Sequence, residues 1–176
     1  MSFLNHDTDN VWSLDAGSFF DYQHKLVGIS PLFVMSLAQS RTQKEVLSVA
    51  SSWLSRLMSW DRASIALPTQ QGYMTLHAVE GNQAIPRSIP LPIDFTLVGQ
   101  VYKQQKLMLC HDLALETYQD CRMLYEGGLS SCLDAPMLYR GKCYGTLNIA
   151  RTDTSFALDE AMHLFALASL IAMNLD

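Results

Sequence analysis

The segment from Gly127 to Arg151 constrains the fold more than any other part of this chain. Leu133, Ala135 and Met137 recur at every second position, and Cys143, Leu147 and Ile149 can share one face of a second run. Between the runs lies Arg140-Gly141-Lys142, where glycine supplies the positive φ that a tight hairpin turn needs. Period two turns Cys132, Asp134, Tyr144, Thr146 and Asn148 to the opposite face. The segment therefore predicts a β-hairpin with one apolar face and one face carrying an acid, an amide and hydroxyls.

The rest of the chain punctuates itself. Pro31 suits a first helical turn and leads into Leu32, Phe33, Met35 and Leu37. Thr42 and Glu45 have the spacing of a capping box, and Leu47, Ala50, Leu54 and Leu57 follow at helical intervals. Two strands are predicted over 61–67 and 73–80, with Met74, Leu76 and Ala78 on one face and Thr75 and His77 on the other. Pro86, Pro90 and Pro92 leave room only for a short edge strand. A short helix is expected over 95–105, a brief strand over 107–110 and another helix over 116–126, stopped by Gly127-Gly128. The last helix, 158–175, is apolar nearly all round, so it must be covered on several sides by the sheet and by another helix, either one from a second copy or one from the same chain around 19–37.

Length and composition narrow the function classes. A chain of 176 residues with 49% apolar and 16% charged residues suits one packed domain. The net charge of −5 and the lack of a basic run argue against nucleic acid as a partner. No segment has the roughly 20 apolar residues of a membrane span, and residues 1–15 are polar and acidic, without the charged and apolar regions expected of a signal peptide. A cytoplasmic location is the expectation. Cys110, Cys121, Cys132 and Cys143 fall eleven residues apart without a C-x-x-C pair, which argues against structural zinc and for four free thiols.

Several short pieces in this order carry a resemblance. They are Trp60 to Ile65, Leu97 to Val101, Asp112-Leu113, Gly128 to Ser131 with Leu133 and Ala135-Pro136-Met137, then Gly141, Gly145 and Leu147, and Phe156 before the final helix. As a set they resemble the GAF domain over roughly 30–175. The resemblance implies an α+β fold, GAF/PAS-like, with a central antiparallel sheet of about six strands. N- and C-terminal helices would cover one face, and loops and short helices over about 92–128 would roof a ligand pocket on the other. It also implies a non-enzymatic sensory module, often dimeric through its terminal helices. Such a module binds a small effector, a cyclic nucleotide among the candidates, and signals to an attached cyclase, phosphodiesterase or histidine kinase. The division expected is a flexible leader over 1–15, an N-terminal helical extension over 16–30 and the domain over 31–176, cut from a longer signalling protein.

On this reading Ser64, His77, Val98, Tyr102, Tyr118, Cys121, Tyr125, Cys132, Asp134, Thr146 and Asn148 surround the ligand. Asp134 stands out, because a carboxylate in mid-sheet must be solvated, bonded to Ser64 or Thr146, or holding a ligand's donor. His77 is an anion contact or an exposed strand histidine, and the three roof tyrosines stack on a flat ligand or simply pack. The cyclic-nucleotide signature of such domains is absent: Ile149 follows Asn148, and Phe156 to Glu160 is one residue short of it. Arg122 rather than histidine follows Cys121, which weakens a covalent bilin. Val98 or its neighbours stand where methionine sulfoxide-reducing relatives carry a cysteine. A ligand-free dimerisation module is the competing class.

Overall fold

The structure, a computed structural model, describes residues 5–6, 10–17 and 28–176. Five helices and eight strands are formed among them: β1 (Asn5–His6), β2 (Val11–Leu14), α1 (Pro31–Gln39), α2 (Gln43–Leu57), β3 (Arg62–Pro68), β4 (Tyr73–Gly81), β5 (Leu91–Pro92), α3 (Leu97–Gln104), β6 (Leu107–Cys110), α4 (Gln119–Glu126), β7 (Ser131–Tyr139), β8 (Lys142–Arg151) and α5 (Leu158–Met173). The strands make one sheet in the order β1-β2-β6-β7-β8-β3-β4-β5, with every pairing antiparallel. The α+β class holds, with eight strands rather than about six. The surplus is the two-residue β1 at the sheet edge and β2, which pairs with β6 and buries Val11 and Leu14, while β5 is the short edge strand expected among Pro86, Pro90 and Pro92. Residues 11–14 are thus not a mobile leader, because β6 would otherwise present an open edge. The helical extension expected over 16–30 falls largely on 18–27, outside the described residues.

Local chemistry explains the framework. At the start of α2, Thr42 Oγ1 accepts the Glu45 N–H at 3.2 Å and Glu45 Oε2 accepts the Thr42 N–H at 3.2 Å. In the β7–β8 hairpin Tyr139 pairs with Lys142, and the two turn residues Arg140 and Gly141 have φ of 50° and 75°. Two successive positive φ values are the type I′ pattern, whose twist matches the flanking strands.

The sheet separates two apolar cores. On one face Ala63, Ile65, Leu133, Ala135, Leu147 and Ile149 pack under α1, α2 and α5, against side chains such as Phe33, Leu54 and Leu164. On the other, Ala66, Met74, Leu76, Met108 and Cys132 meet the roof of α3 and α4 through Leu97, Val101 and Leu124. Two bulges shift the expected faces. Ile65 pairs with Ala78 and Ala66 with Leu76, which leaves His77 as the extra residue. Met74 and Leu76 therefore lie under the roof, whereas Ala78 joins the helix side. In the hairpin Pro136 pairs with Thr146 and Leu138 with Cys143, so Tyr144 packs toward the helix-side core and Cys143 does not. Glycine is required at this bulge: a Cβ on Gly145 would lie 2.2 Å from the Ala66 carbonyl oxygen.

The apolar last helix is covered by its own chain, with Leu164, Leu167, Ala168 and Ile171 buried in the helix-side core. A second copy is not needed to cover it. Exposed apolar side chains are scattered over the surface, at Phe95, Leu115 and Met173 among others, and three of them, Leu32, Val34 and Met35, fall together on α1. Among the described residues no helix is long and apolar enough to cross a membrane.

Candidate functional site

Register places the polar face in rows. Met108, Asp134, Asn148, Ser64 and Val79 pair in succession across β6, β7, β8, β3 and β4. The next row on the same face runs Cys110, Cys132, Ala150, Arg62 and Gly81. Under the roof these rows floor a cavity of about 20 Å³, space for about one water molecule. Arg62, Ser64, Cys132, Asp134 and Asn148 line it from below, and Val98, Asp120 and Leu124 from the roof.

Asp134 is 3% exposed. The hydrogen bond it receives comes from the Cys132 thiol, 3.9 Å from Oδ2. Burial, then the negative Asp120, push its carboxyl well above the usual carboxylate range, while Arg62 pulls the other way from beyond ion-pair distance. Arg62 is itself occupied: its Nη1 donates to the Asn82 carbonyl at 2.6 Å and its Nη2 to the Ile85 carbonyl at 2.8 Å. Desolvation lowers its pKa to about 10. Asn148 Nδ2 donates to Ser64 Oγ at 3.2 Å, and Asn148 Oδ1 is buried without a partner among the described residues. The floor thus offers a carboxyl held toward its neutral form and an unused carbonyl acceptor side by side. A buried polar group left unpaired costs free energy, so such a pair favours a guest that donates hydrogen bonds.

Asp120 has a different task. Its carboxylate accepts the N–H groups of Leu97 at 2.8 Å and Val98 at 3.0 Å, the first two residues of α3, and that of Cys121 at 3.0 Å. It satisfies orphan donors of one helix from the first turn of another and fastens α3 to α4. Beside it Cys110 at the end of β6, Cys121 on α4 and Cys132 on β7 bring their sulfur atoms within 4.8 Å of one another, all buried. The Cys121 S–H, then that of Cys132, pull the Cys110 thiol below its ordinary range, and the same bonds push the two donors up. Asn10 Nδ2 also donates to Cys110 Sγ at 3.8 Å. All four cysteines are free, as expected, but three of them converge. The regular spacing has a spatial meaning that a search for C-x-x-C pairs misses, because Cys110 and Cys132 are cross-strand partners and α4 lies over them.

The other expected contacts divide. Ser64, Val98, Cys132, Asp134 and Asn148 line the cavity; Thr146 shares the buried face farther along β8, with Oγ1 unpartnered among the described residues. Cys121 belongs to the thiol cluster. His77 is exposed on the helix side, beside Leu47 and Ser51 of α2, because it is the bulged residue of β4. Tyr125 is 53% exposed, and Tyr102 and Tyr118 pack half-buried against the roof-side core without lining the cavity. Arg62 and Asp120 are the residues that sequence reasoning passed over. Arg62 was signalled by its place two residues before Ser64 on one strand face; Asp120 had no comparable signal.

Comparison with known proteins agrees with this architecture. The family model described as the GAF domain matches residues 44–175. No curated protein matches this sequence. Among solved structures, the chain is similar to the GAF domain of a phosphoenolpyruvate-protein phosphotransferase from Coxiella burnetii, at 20% identity and a TM-score of 0.70 over 81% of this chain and 88% of that one. It is similar to the GAF domain of a two-component sensor histidine kinase from Bacillus halodurans, at 19% identity and 0.66, over 77% and 95%. It also matches a free methionine-R-sulfoxide reductase from Neisseria meningitidis in complex with its substrate, at 16% identity and 0.69, over 82% and 84%.

Proposed function

The chain belongs to the GAF domain family, and on that premise we propose that it is a non-enzymatic sensory module of a cytoplasmic signalling protein, binding a small hydrogen-bond donor over Asp134. The observation that carries this reading is the pair of acceptors on the cavity floor, Asn148 Oδ1, buried without a partner among the described residues, and the buried Asp134 carboxyl, which holds one weak bond from the Cys132 thiol. The guest is a compact ammonium, amide or amino-bearing molecule. A cavity of about 20 Å³ admits a cyclic nucleotide only if α3 and α4 lift. Signal transfer follows from the pleat: Asp134 faces the guest, whereas its neighbours Leu133 and Ala135 pack in the core that contains α5. A shift of β7 is therefore felt by α5 and by an attached output domain, such as a kinase, cyclase or phosphodiesterase.

A melting-temperature screen of small amines, amino acids, amides and purine nucleotides tests the proposal. At least one compound is expected to raise the transition of the wild-type chain and to lose that effect in Asp134→Asn. A panel without any shift would instead support the second reading, a ligand-free dimerisation module, and a shift indifferent to Asp134 would place the ligand away from this carboxyl. The small size of the cavity favours that alternative.

A further inference from the structure

The effector reading makes no use of the three converging thiols. Free cysteine can serve as a small apolar filler, but this cluster is wired differently. Its members come from β6, α4 and β7, their sulfurs lie within 4.8 Å of one another, and polar groups flank it. Asn10 donates to Cys110, and Cys132 is bonded to the Asp134 carboxyl. Metal-binding ligands characteristically carry such outer partners. We propose that Cys110, Cys121 and Cys132 form a three-sulfur binding site for a thiophilic ion, and that charge balance selects a trivalent one of the arsenite class. The site stands whether or not a guest occupies the neighbouring floor.

Geometry and charge both enter. An ion with metal–sulfur bonds of about 2.3 Å spaces its sulfurs about 3.4 to 4.0 Å apart, the lower end for the pyramidal geometry of a trivalent ion with a lone pair, so these thiols need contract by at most about 1.4 Å. Soft ions prefer such ligands. Three thiolates leave a divalent ion with one net negative charge and a monovalent ion with two. The three thiols are buried, with Asp120 beside Cys121 and the Asp134 carboxyl bonded to Cys132, so added negative charge is costly there. A trivalent ion leaves none. Uptake of arsenious acid, As(OH)₃, balances without redox change: three As–S bonds replace three As–O bonds, and the three thiol protons leave with the three hydroxides as water. Because Cys121 sits on the roof and the other two on the sheet, the bound ion would pin α4 to β6 and β7.

The test is titration of the full chain, reduced with a phosphine, with arsenite, zinc and copper(I) in separate arms. Intact-mass measurement is expected to show one arsenic per chain gained with loss of three protons, together with sulfur-to-arsenic charge-transfer absorption and a raised melting temperature. Cys143→Ser should behave as wild type; Cys121→Ser and Cys132→Ser should weaken uptake at least tenfold. Should those variants fail to fold, the proton count in the wild-type adduct still decides, since loss of fewer than three protons overturns three-sulfur binding. No uptake of any ion, or uptake unchanged in Cys132→Ser, also overturns the site. Tighter binding of zinc or copper(I) at the same cysteines overturns the trivalent assignment.

Discussion

Ionising Asp134 in the folded chain places a negative charge where 3% of the residue meets solvent and one thiol is its hydrogen-bond donor. Burial and the nearby Asp120 raise its folded pKa, whereas in the unfolded chain an aspartate ionises near its ordinary value, about 3.9. The folded state therefore holds the proton to higher pH than the unfolded state does. Stability conferred by the neutral form is fully present below the unfolded pKa and falls as pH rises toward the folded one. Asn has the same shape and cannot ionise. Asp134→Asn is expected to stabilise the empty protein at pH 7 by about 1–3 kcal/mol, the usual desolvation penalty of a buried polar group, and to flatten the decline between pH 5 and 8. Chemical denaturation across that range checks it, and an unchanged slope would sink the assignment of the titration to Asp134. Alternation alone made this acid visible in the sequence. Its company was not legible, because Arg62, Asp120 and the thiol cluster arrive through strand register and helix placement, which periodicity does not encode.

At the scale of elements, the roof depends on one carboxylate. Asp120 holds the first two N–H groups of α3 from the first turn of α4, and replacing it with alanine orphans donors that are buried. Asp120→Ala is expected to cost about 2–3 kcal/mol, since hydrogen bonds to a charged acceptor are the stronger kind. Hydrogen exchange should show faster exchange at Leu97 and Val98 while α2 keeps its protection; equal acceleration in both would mean that Asp120 acts on the whole fold rather than on the roof. Helices announced themselves well: Pro31, the Thr42–Glu45 box and the glycines after α4 mark real ends. The strand faces were legible only up to the bulges. At His77 and Gly145 one extra residue reverses the alternation, which moves Met74 and Leu76 under the roof and Tyr144 to the helix side. A bulge leaves little trace in apolar pattern, and of the two only Gly145 offered a residue-type hint.

The molecule as a whole is a sheet that serves two cores, and its remaining apolar surface indicates how two copies would meet. The all-round apolar α5 first suggested an interface, but the sheet and the preceding helices already bury it. Among the exposed apolar side chains, the group that falls on a single helix is on α1, where Leu32 is 64% and Met35 55% exposed, with Val34 at 39%. Isolated exposed apolar residues are ordinary, but three of them clustered on one short helix mark a place for contact. The packing of Phe33 and Leu37 in the helix-side core ties that helix to α5 through shared neighbours, so a contact there would reach the element expected to carry the signal. The wild-type chain is accordingly expected to sediment as a dimer and the Leu32→Glu, Met35→Lys double variant as a monomer. Because neither side chain is in the core, the variant's unfolding free energy, measured at concentrations where the wild type is also monomeric, should stay within about 0.5 kcal/mol of the wild type's. A dimer that survives both substitutions would move the interface away from α1, and a monomeric wild type would leave α1 without a partner in this chain. With the dimer intact, ligand or ion at the roof and association at α1 become two events on opposite faces of one sheet, and coupling between them is reciprocal: whatever binds the roof more tightly in the dimer must also strengthen the dimer.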